Sequence, residues 1–355
     1  MRSFFGGNKS RKFLHSFLFH FIVISLLVLF LPSTSHALVV SPARIELEVD
    51  PGGVVRGEIS LVNDKDKTET FYSSIQNFES GDESGVPKFT NDKDGMVEWL
   101  EVQKEIALEP GKRVKVPFVV KVPKDVGAGG YFSAIFWGNQ LPRTEEGLVS
   151  LGAKVGSLVF LKIRGEIVEK GEIVDFGTLS NKKVFNQLPV DFFFRFQNSG
   201  NDRLKPLGEI KIYNQFDKEV DSLSVNVSQG SVLPNSKRKF FVSWGRNELD
   251  NTWQLDFEKG NFPDEKKPFF QKVKEQAKDF HLGKYTAFLE INYGSEKKQE
   301  AKAKISFYLF PKELLIITFV ALLLMLISFK LVLKGYQRRI IKKYNLSQKK
   351  EKENE

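Results

Sequence analysis

Two sets of side chains in this sequence have the types and spacing to do chemistry. The first is a group of carboxylates, Asp82, Glu83, Asp92, Asp94, Glu98 and Glu101. Two carboxyl groups flanking a glycosidic bond can hydrolyse it, one as acid and the other as base or nucleophile. That work needs one carboxyl buried enough to hold its proton near neutral pH. These six sit among Gly, Ser, Asn and Lys, the composition of a solvated loop. A carboxylate-dependent wall hydrolase is therefore the weakest functional expectation. Asn91-Asp92-Lys93-Asp94-Gly95 places oxygens at alternate positions beside a glycine, as a calcium loop does, but the rest of such a loop is missing. An ordinary Asp-Gly turn is the simpler expectation. The chain has no cysteine, and of its four histidines only His281 lies beyond residue 37. Thiol nucleophiles, Cys/His zinc sites and disulfides are excluded. His281 has no orienting partner in sequence and is expected at a helix C-terminus. No catalytic residue, metal ligand or cofactor is assigned, and the chain is expected not to be an enzyme.

The second set is aromatic. Trp99, Tyr131 and Trp137 are the candidate binding residues. Indole and phenol rings can stack on sugar faces, which would make them a platform for a glycan. The competing expectation, and the stronger one for both tryptophans, is that Trp99 and Trp137 fill a sandwich core. Trp99 is expected at a strand start. Gly127, Gly129 and Gly130 precede the run Tyr131–Trp137 and let the chain turn tightly there. Trp244 and Trp253 are expected to be core residues.

The elements that must position these groups are strands. Val55, Gly57, Ile59 and Leu61 alternate with polar residues, as do Val114 through Val122 and Ala301 through Leu309. Period-two patterning with one apolar face marks a half-buried antiparallel strand. Asp50-Pro51-Gly52, Glu109-Pro110-Gly111 and Leu233-Pro234-Asn235 each turn the chain into a following strand. Two of these units precede Gly165 and one follows. The expected fold is therefore all-β, two tandem immunoglobulin-like β-sandwich domains over residues 38–165 and 166–310. The second set of strands is expected at 173–176, 190–196, 207–213, 239–244, 286–293 and 301–309. A short helix is expected to interrupt it near residues 268–281, because Phe270, Val273, Ala277 and Phe280 form a helical stripe. That stripe is expected to cap the second core; a partner-binding exposed helix is the alternative.

The two ends set topology. Residues 314–333 are apolar and carry no charge before Lys330. Twenty helical residues span about 30 Å, the thickness of a bilayer's hydrocarbon core. Lys330, Lys334, Arg338 and Arg339 begin a basic tail over 334–355, which marks a cytoplasmic side. Residues 1–37 read as a signal peptide with small residues Ser35 and Ala37 before the cut, or as a retained anchor. Either reading puts residues 38–310 outside a cell membrane crossed once. Four positive charges fall in residues 1–37 and a net six in 330–355, so the formal +9 leaves residues 38–329 at −1. A nucleic-acid partner has no support from such a balance.

Several motifs resemble the WxL-interacting surface proteins of Gram-positive bacteria. They include Ser41-Pro42-Ala43-Arg44-Ile45-Glu46-Leu47, Trp99-Leu100, Val122-Pro123-Lys124-Asp125 and Gly129 through Phe136. In the second half, Asn198-Ser199-Gly200-Asn201 and Lys205 through Ile210 match as well. The resemblance implies a non-catalytic, membrane-anchored surface protein. Its partners would be a cell-envelope polymer such as peptidoglycan, a secreted surface protein, and the bilayer through one helix. A chaperone-like sandwich pair serving secreted subunits is the alternative.

Overall fold

The computed structural model describes residues 38–141, 153–246, 267–296 and 299–352. Ser35, Ala37 and Trp253 lie outside them.

The first sandwich begins with β1 (Leu38–Ser41) and β2 (Arg44–Val49), then β3 (Val54–Asn63) and β4 (Glu69–Ser80). It continues with β5 (Pro87–Phe89), the one-turn helix α1 (Met96–Trp99), β6 (Leu100–Val102) and β7 (Glu105–Leu108). It closes with β8 (Arg113–Lys121), β9 (Gly129–Gly138) and β10 (Lys154–Ile163). One sheet has the order β1-β3-β8-β6 and the other β2-β10-β9-β4-β5, with β7 also on β4. The second sandwich contains β11 (Gly171–Thr178), β12 (Val184–Phe185), β13 (Val190–Asn198), β14 (Leu207–Asn214), β15 (Glu219–Val225) and β16 (Ser236–Trp244). Helix α2 (Phe269–Lys278), β17 (Gly283–Tyr293), β18 (Gln299–Leu309) and the long α3 (Lys312–Lys352) follow. Its sheets run β11-β13-β16 and β12-β18-β17-β14-β15.

The two sandwiches repeat one topology. In each, an opening strand pairs antiparallel in one sheet (β1 on β3, β11 on β13), and the next pairs parallel with the last strand of the other sheet (β2 on β10, β12 on β18). The proline turns repeat in detail. Gly52, Gly111 and Asn235 all have positive φ after a proline, the geometry of a type II turn. Each sandwich has its own core. Ile59, Leu61, Phe118, Ile135 and Trp137 are wholly or almost wholly buried in the first. Phe192, Phe194 and Phe196 line the second at alternate positions of β13.

Two sequence expectations need correction. Trp99 ends a helical turn, and the strand starts one residue later. The helix near 268–281 exists as α2, but its stripe does not cap the second core. Phe270 is 77% exposed and Phe280 54%, whereas Gln276 is buried at 1%. The polar face is the packed one, because Gln276 finds hydrogen-bond partners on α3. The long helix continues from the apolar stretch into the basic segment: α3 runs 41 residues, Lys312–Lys352. Its Lys, Arg, Gln, Ile and Leu residues are good or fair helix formers, and no proline stops them.

Candidate functional site: the cleft between the sandwiches

β9 and β10 are apolar on both faces, and that defines the site. Their residues Ile135, Trp137, Val159 and Leu161 point into the first core. The alternate residues Ala134, Phe136 and Phe160 form a second cluster with Phe78, and Leu233 of the second sandwich packs on it. A strand buried on both faces reads as a continuous apolar run, which is why Tyr131–Trp137 looks so rich in rings. Phe78 meets Phe160 edge-on at 5.5 Å and Phe132 at 5.9 Å. A cleft of about 310 Å³ opens here, lined by Phe78, Val86, Leu158 and Phe160 from one side and Leu233 from the other, with Arg44 and Arg238 among its walls.

The Arg44 guanidinium is held by a contact that crosses between the sandwiches, and that of Arg238 by contacts within the second. Arg44 lies over Phe160 at 4.6 Å, and its Nη2 donates to Ser231 Oγ at 2.6 Å. Burial pulls its pKa down; Glu46 opposes this and Arg203 adds to it. Glu46 accepts from Lys205 at 2.8 Å and from Arg203 at 2.8 Å, and pairs with Arg44 at 3.4 Å. Burial pushes the Glu46 carboxyl up, but Lys205, Arg203 and Arg44 together outweigh it and hold the group below the usual carboxylate range. Arg238 donates to Ser231 O at 3.1 Å and lies 5.2 Å from the Phe240 ring. It fits because Gly85 and Gly230 leave room; a Cβ on Gly85 would come within 2.2 Å of its Cζ.

Two further clamps fix the cleft. The β4–β5 loop reaches across, where Arg195 donates to Glu83 at 2.7 Å and the Lys239 N–H to the Glu83 carbonyl at 2.7 Å. At the linker, the Gly130 N–H donates to Asn201 O at 2.8 Å, and Asn201 Nδ2 donates to the carbonyls of Ala128 and Glu166. Asp202 sits next to this clamp, and burial raises its pKa.

The first residues of β10, ahead of the cleft-lining Leu158, have a side that β2 does not cover. β2 covers β10 from Leu158 to Ile163, and the buried Ser157 donates its hydroxyl to the Pro42 carbonyl at 2.6 Å, whereas Lys154–Gly156 pair only with β9 among the described residues. Val155 is exposed there.

The residues expected from sequence are dispersed. Trp137 is wholly buried in the first core, so its indole offers no face to a glycan. Trp99 and Tyr131 do meet, with ring centroids 5.0 Å apart, and both are half-buried. Glu83 is taken by Arg195 and Glu101 by Lys121, while Asp92, Asp94 and Glu98 are exposed. Asp82 accepts from the hydroxyl and amide of Ser84, which hold its carboxyl below the usual range. Among the described residues no group of three His, Asp or Glu side chains could hold a metal ion. Trp244 is buried, and His281 lies 5.0 Å from its ring. Lys330, Lys334, Arg338 and Arg339 lie exposed along α3. The cleft residues Arg44, Phe78, Phe160 and Arg238 were not singled out by chemistry. The signal that could have found them is the two-faced apolarity of Phe132–Trp137 and Val155–Ile163.

No protein-family model matches the chain, and no curated protein sequence does. Solved structures do resemble it in shape. The class 5 fimbriae chaperone CfaA is 10% identical with a TM-score of 0.37, covering 76% of this chain and 98% of that one. The CsuC–CsuE chaperone–tip adhesion subunit complex from Acinetobacter baumannii gives 11% identity and a TM-score of 0.32, covering 57% and 89%. A PapD-like domain of human CEP192 gives 14% and 0.26, covering 38% and 99%. These likenesses carry no argument about what the chain binds.

Proposed function

We propose that this chain is a non-catalytic, membrane-anchored protein that receives an extended segment of a secreted protein in the cleft between its sandwiches. The observation that carries this reading is the conjunction at β10. An apolar floor (Phe78, Leu158, Phe160) lies beside two guanidiniums, and the same strand continues beyond Ser157 into the edge of Lys154–Gly156, which β2 does not cover. An added strand would bond to that edge through its backbone, set alternate apolar side chains on the floor, and meet Arg44 and Arg238 with a carboxylate or carbonyl oxygens. This favours the chaperone-like role over the wall-polymer role. Permanent anchoring through α3 makes such a protein act at the membrane surface, with the sandwiches outside and Lys334–Arg339 inside. A WxL-type surface protein is one partner of this kind.

The test is titration of detergent-solubilised full-length protein with short peptides of alternating apolar residues and a free C-terminal carboxylate. Such peptides should bind, and Arg44→Gln should weaken them by about tenfold or more, the scale of losing a charge-assisted hydrogen bond. Equal binding of polar peptides, or no effect of Arg44→Gln, would remove the cleft from the account.

A second reading rests on the Trp99–Tyr131 pair, whose rings are only partly buried and leave aromatic surface for an envelope glycan. It predicts that purified peptidoglycan sediments the full-length protein and that Trp99→Ala abolishes this.

A further inference from the structure

Helix α2 is amphipathic in the wrong sense for a protein core. Its exposed side chains include Phe269 and Phe270, and Phe280 lies exposed just beyond its end. None of its residues belongs to the second core. The side it buries is polar, and it is buried against the start of α3. Gln276 Nε2 donates to Glu313 Oε2 at 2.7 Å, while the Leu314 N–H donates to Gln276 Oε1 at 2.9 Å. One amide side chain thus satisfies a free N–H of the first turn of α3 and locks α2 beside the first residues of the apolar stretch.

The same end of the domain carries other exposed apolar groups, set there by strand register. Gly283 pairs with Leu309, which brings Leu282 and Phe310 to one sheet end, and both are exposed. Asn214 pairs with Tyr285, so the β14–β15 turn reaches that end too, and its Phe216 is 79% exposed. Lys272, Lys274 and Lys278 on α2 and Lys312 at the head of α3 add positive charge. Apolar rings, lysines and the first turn of a spanning helix therefore share one surface.

We propose that this surface rests on the bilayer. In this arrangement α2 lies in the plane of anionic lipid headgroups, Phe270, Phe280 and Phe216 dip among the acyl-chain ends, and the lysines meet the headgroups. The inference rests on the membrane-anchor reading of α3. Its consequence is mechanical: with α2 held to both lipid and α3, the second sandwich has a fixed attitude to the membrane, and the cleft a fixed height above it.

The chain has no cysteine, so single-cysteine nitroxide labelling of the full-length protein is direct. Labels at Phe270→Cys, Phe216→Cys, Leu323→Cys and Val54→Cys would be read by power-saturation EPR in vesicles of phosphatidylcholine and phosphatidylglycerol. Leu323 lies in the apolar stretch, and Val54 is exposed on the first sandwich. At positions 270 and 216 the oxygen-to-nickel-chelate accessibility ratio should be several-fold above that at 54, approaching that at 323. If 323 is lipid-like while 270 and 216 match 54, the docking inference is overturned and the anchor stands. If 270 and 216 are shielded from both reagents, they face protein, and the inference is likewise overturned. If 323 itself is not lipid-like, the anchor reading fails and takes this inference with it.

Discussion

Asn63 and Asn198 occupy the same place in successive sandwiches and make the same three bonds. The Nδ2 of Asn63 donates to the carbonyls of Lys67 and Leu108, and its Oδ1 accepts from the Lys65 N–H. Asn198 does so with Asp202, Val232 and Gly200. Each ties a loop just after its own strand to the segment entering a proline turn. Both are fully buried. Asn63→Ala and Asn198→Ala should each cost about 1–3 kcal/mol, since they strand buried backbone carbonyls. Urea unfolding of the full-length protein in detergent measures this, with exposed Asn91→Ala as the near-neutral comparison.

Gly129 has φ of +142, and a Cβ there would meet the Asn201 carbonyl oxygen at 2.6 Å. Gly129→Ala is therefore expected to push the linker clamp apart rather than unfold either core. Distances between nitroxide pairs placed on the two sandwiches should broaden, while the secondary structure seen by circular dichroism stays unchanged.

The Glu46 cluster makes the interface acid-sensitive. The folded carboxyl titrates below its ordinary value, so its contribution is complete above the unfolded pKa of ~4.3 and is lost as pH falls through the folded value. Interdomain distances should loosen below about pH 4. Glu46→Gln should already be loose at neutral pH and show less change on acidification. Asp202 works in the opposite direction. Burial raises its folded pKa, so its charged form opposes folding progressively as pH rises through the unfolded and then the folded value. Asp202→Asn keeps the acceptor for the Arg203 N–H and should be neutral or stabilising at pH 7.

The strands are legible because alternation is local: Val114–Val122 and Ala301–Leu309 state their own inward faces. The proline turns are legible for the same reason, as Pro-Gly and Pro-Asn carry their geometry within a few residues. The stripe Phe270, Val273, Ala277 and Phe280 announces a helix correctly but does not say what covers it, and the covered face proves to be that of Gln276. The cleft is assembled from β2, β4, β10 and β16, so Arg44, Phe160 and Arg238 become neighbours only after folding. Trp137 and Trp99 are close in sequence to glycine-rich turns, yet one is pulled into the core by the inward register of β9.

That outward stripe separates two substitutions that look alike on paper. Phe270→Ser should leave unfolding in detergent within about 0.5 kcal/mol of the parent, as exposed positions do. Phe194→Ala, in the second core, should cost about 3–5 kcal/mol.

The most direct test of the cleft reading is photocrosslinking on intact cells, with the photoreactive residue at Leu233, at Val155 and, for comparison, at Val54. The account predicts that Leu233 and Val155 capture the same secreted protein through one short, strand-like segment, mapped by mass spectrometry, and that Val54 does not. Equal capture at Val54, capture of glycan alone, or adducts at Leu233 and Val155 that map to unrelated segments would contradict it.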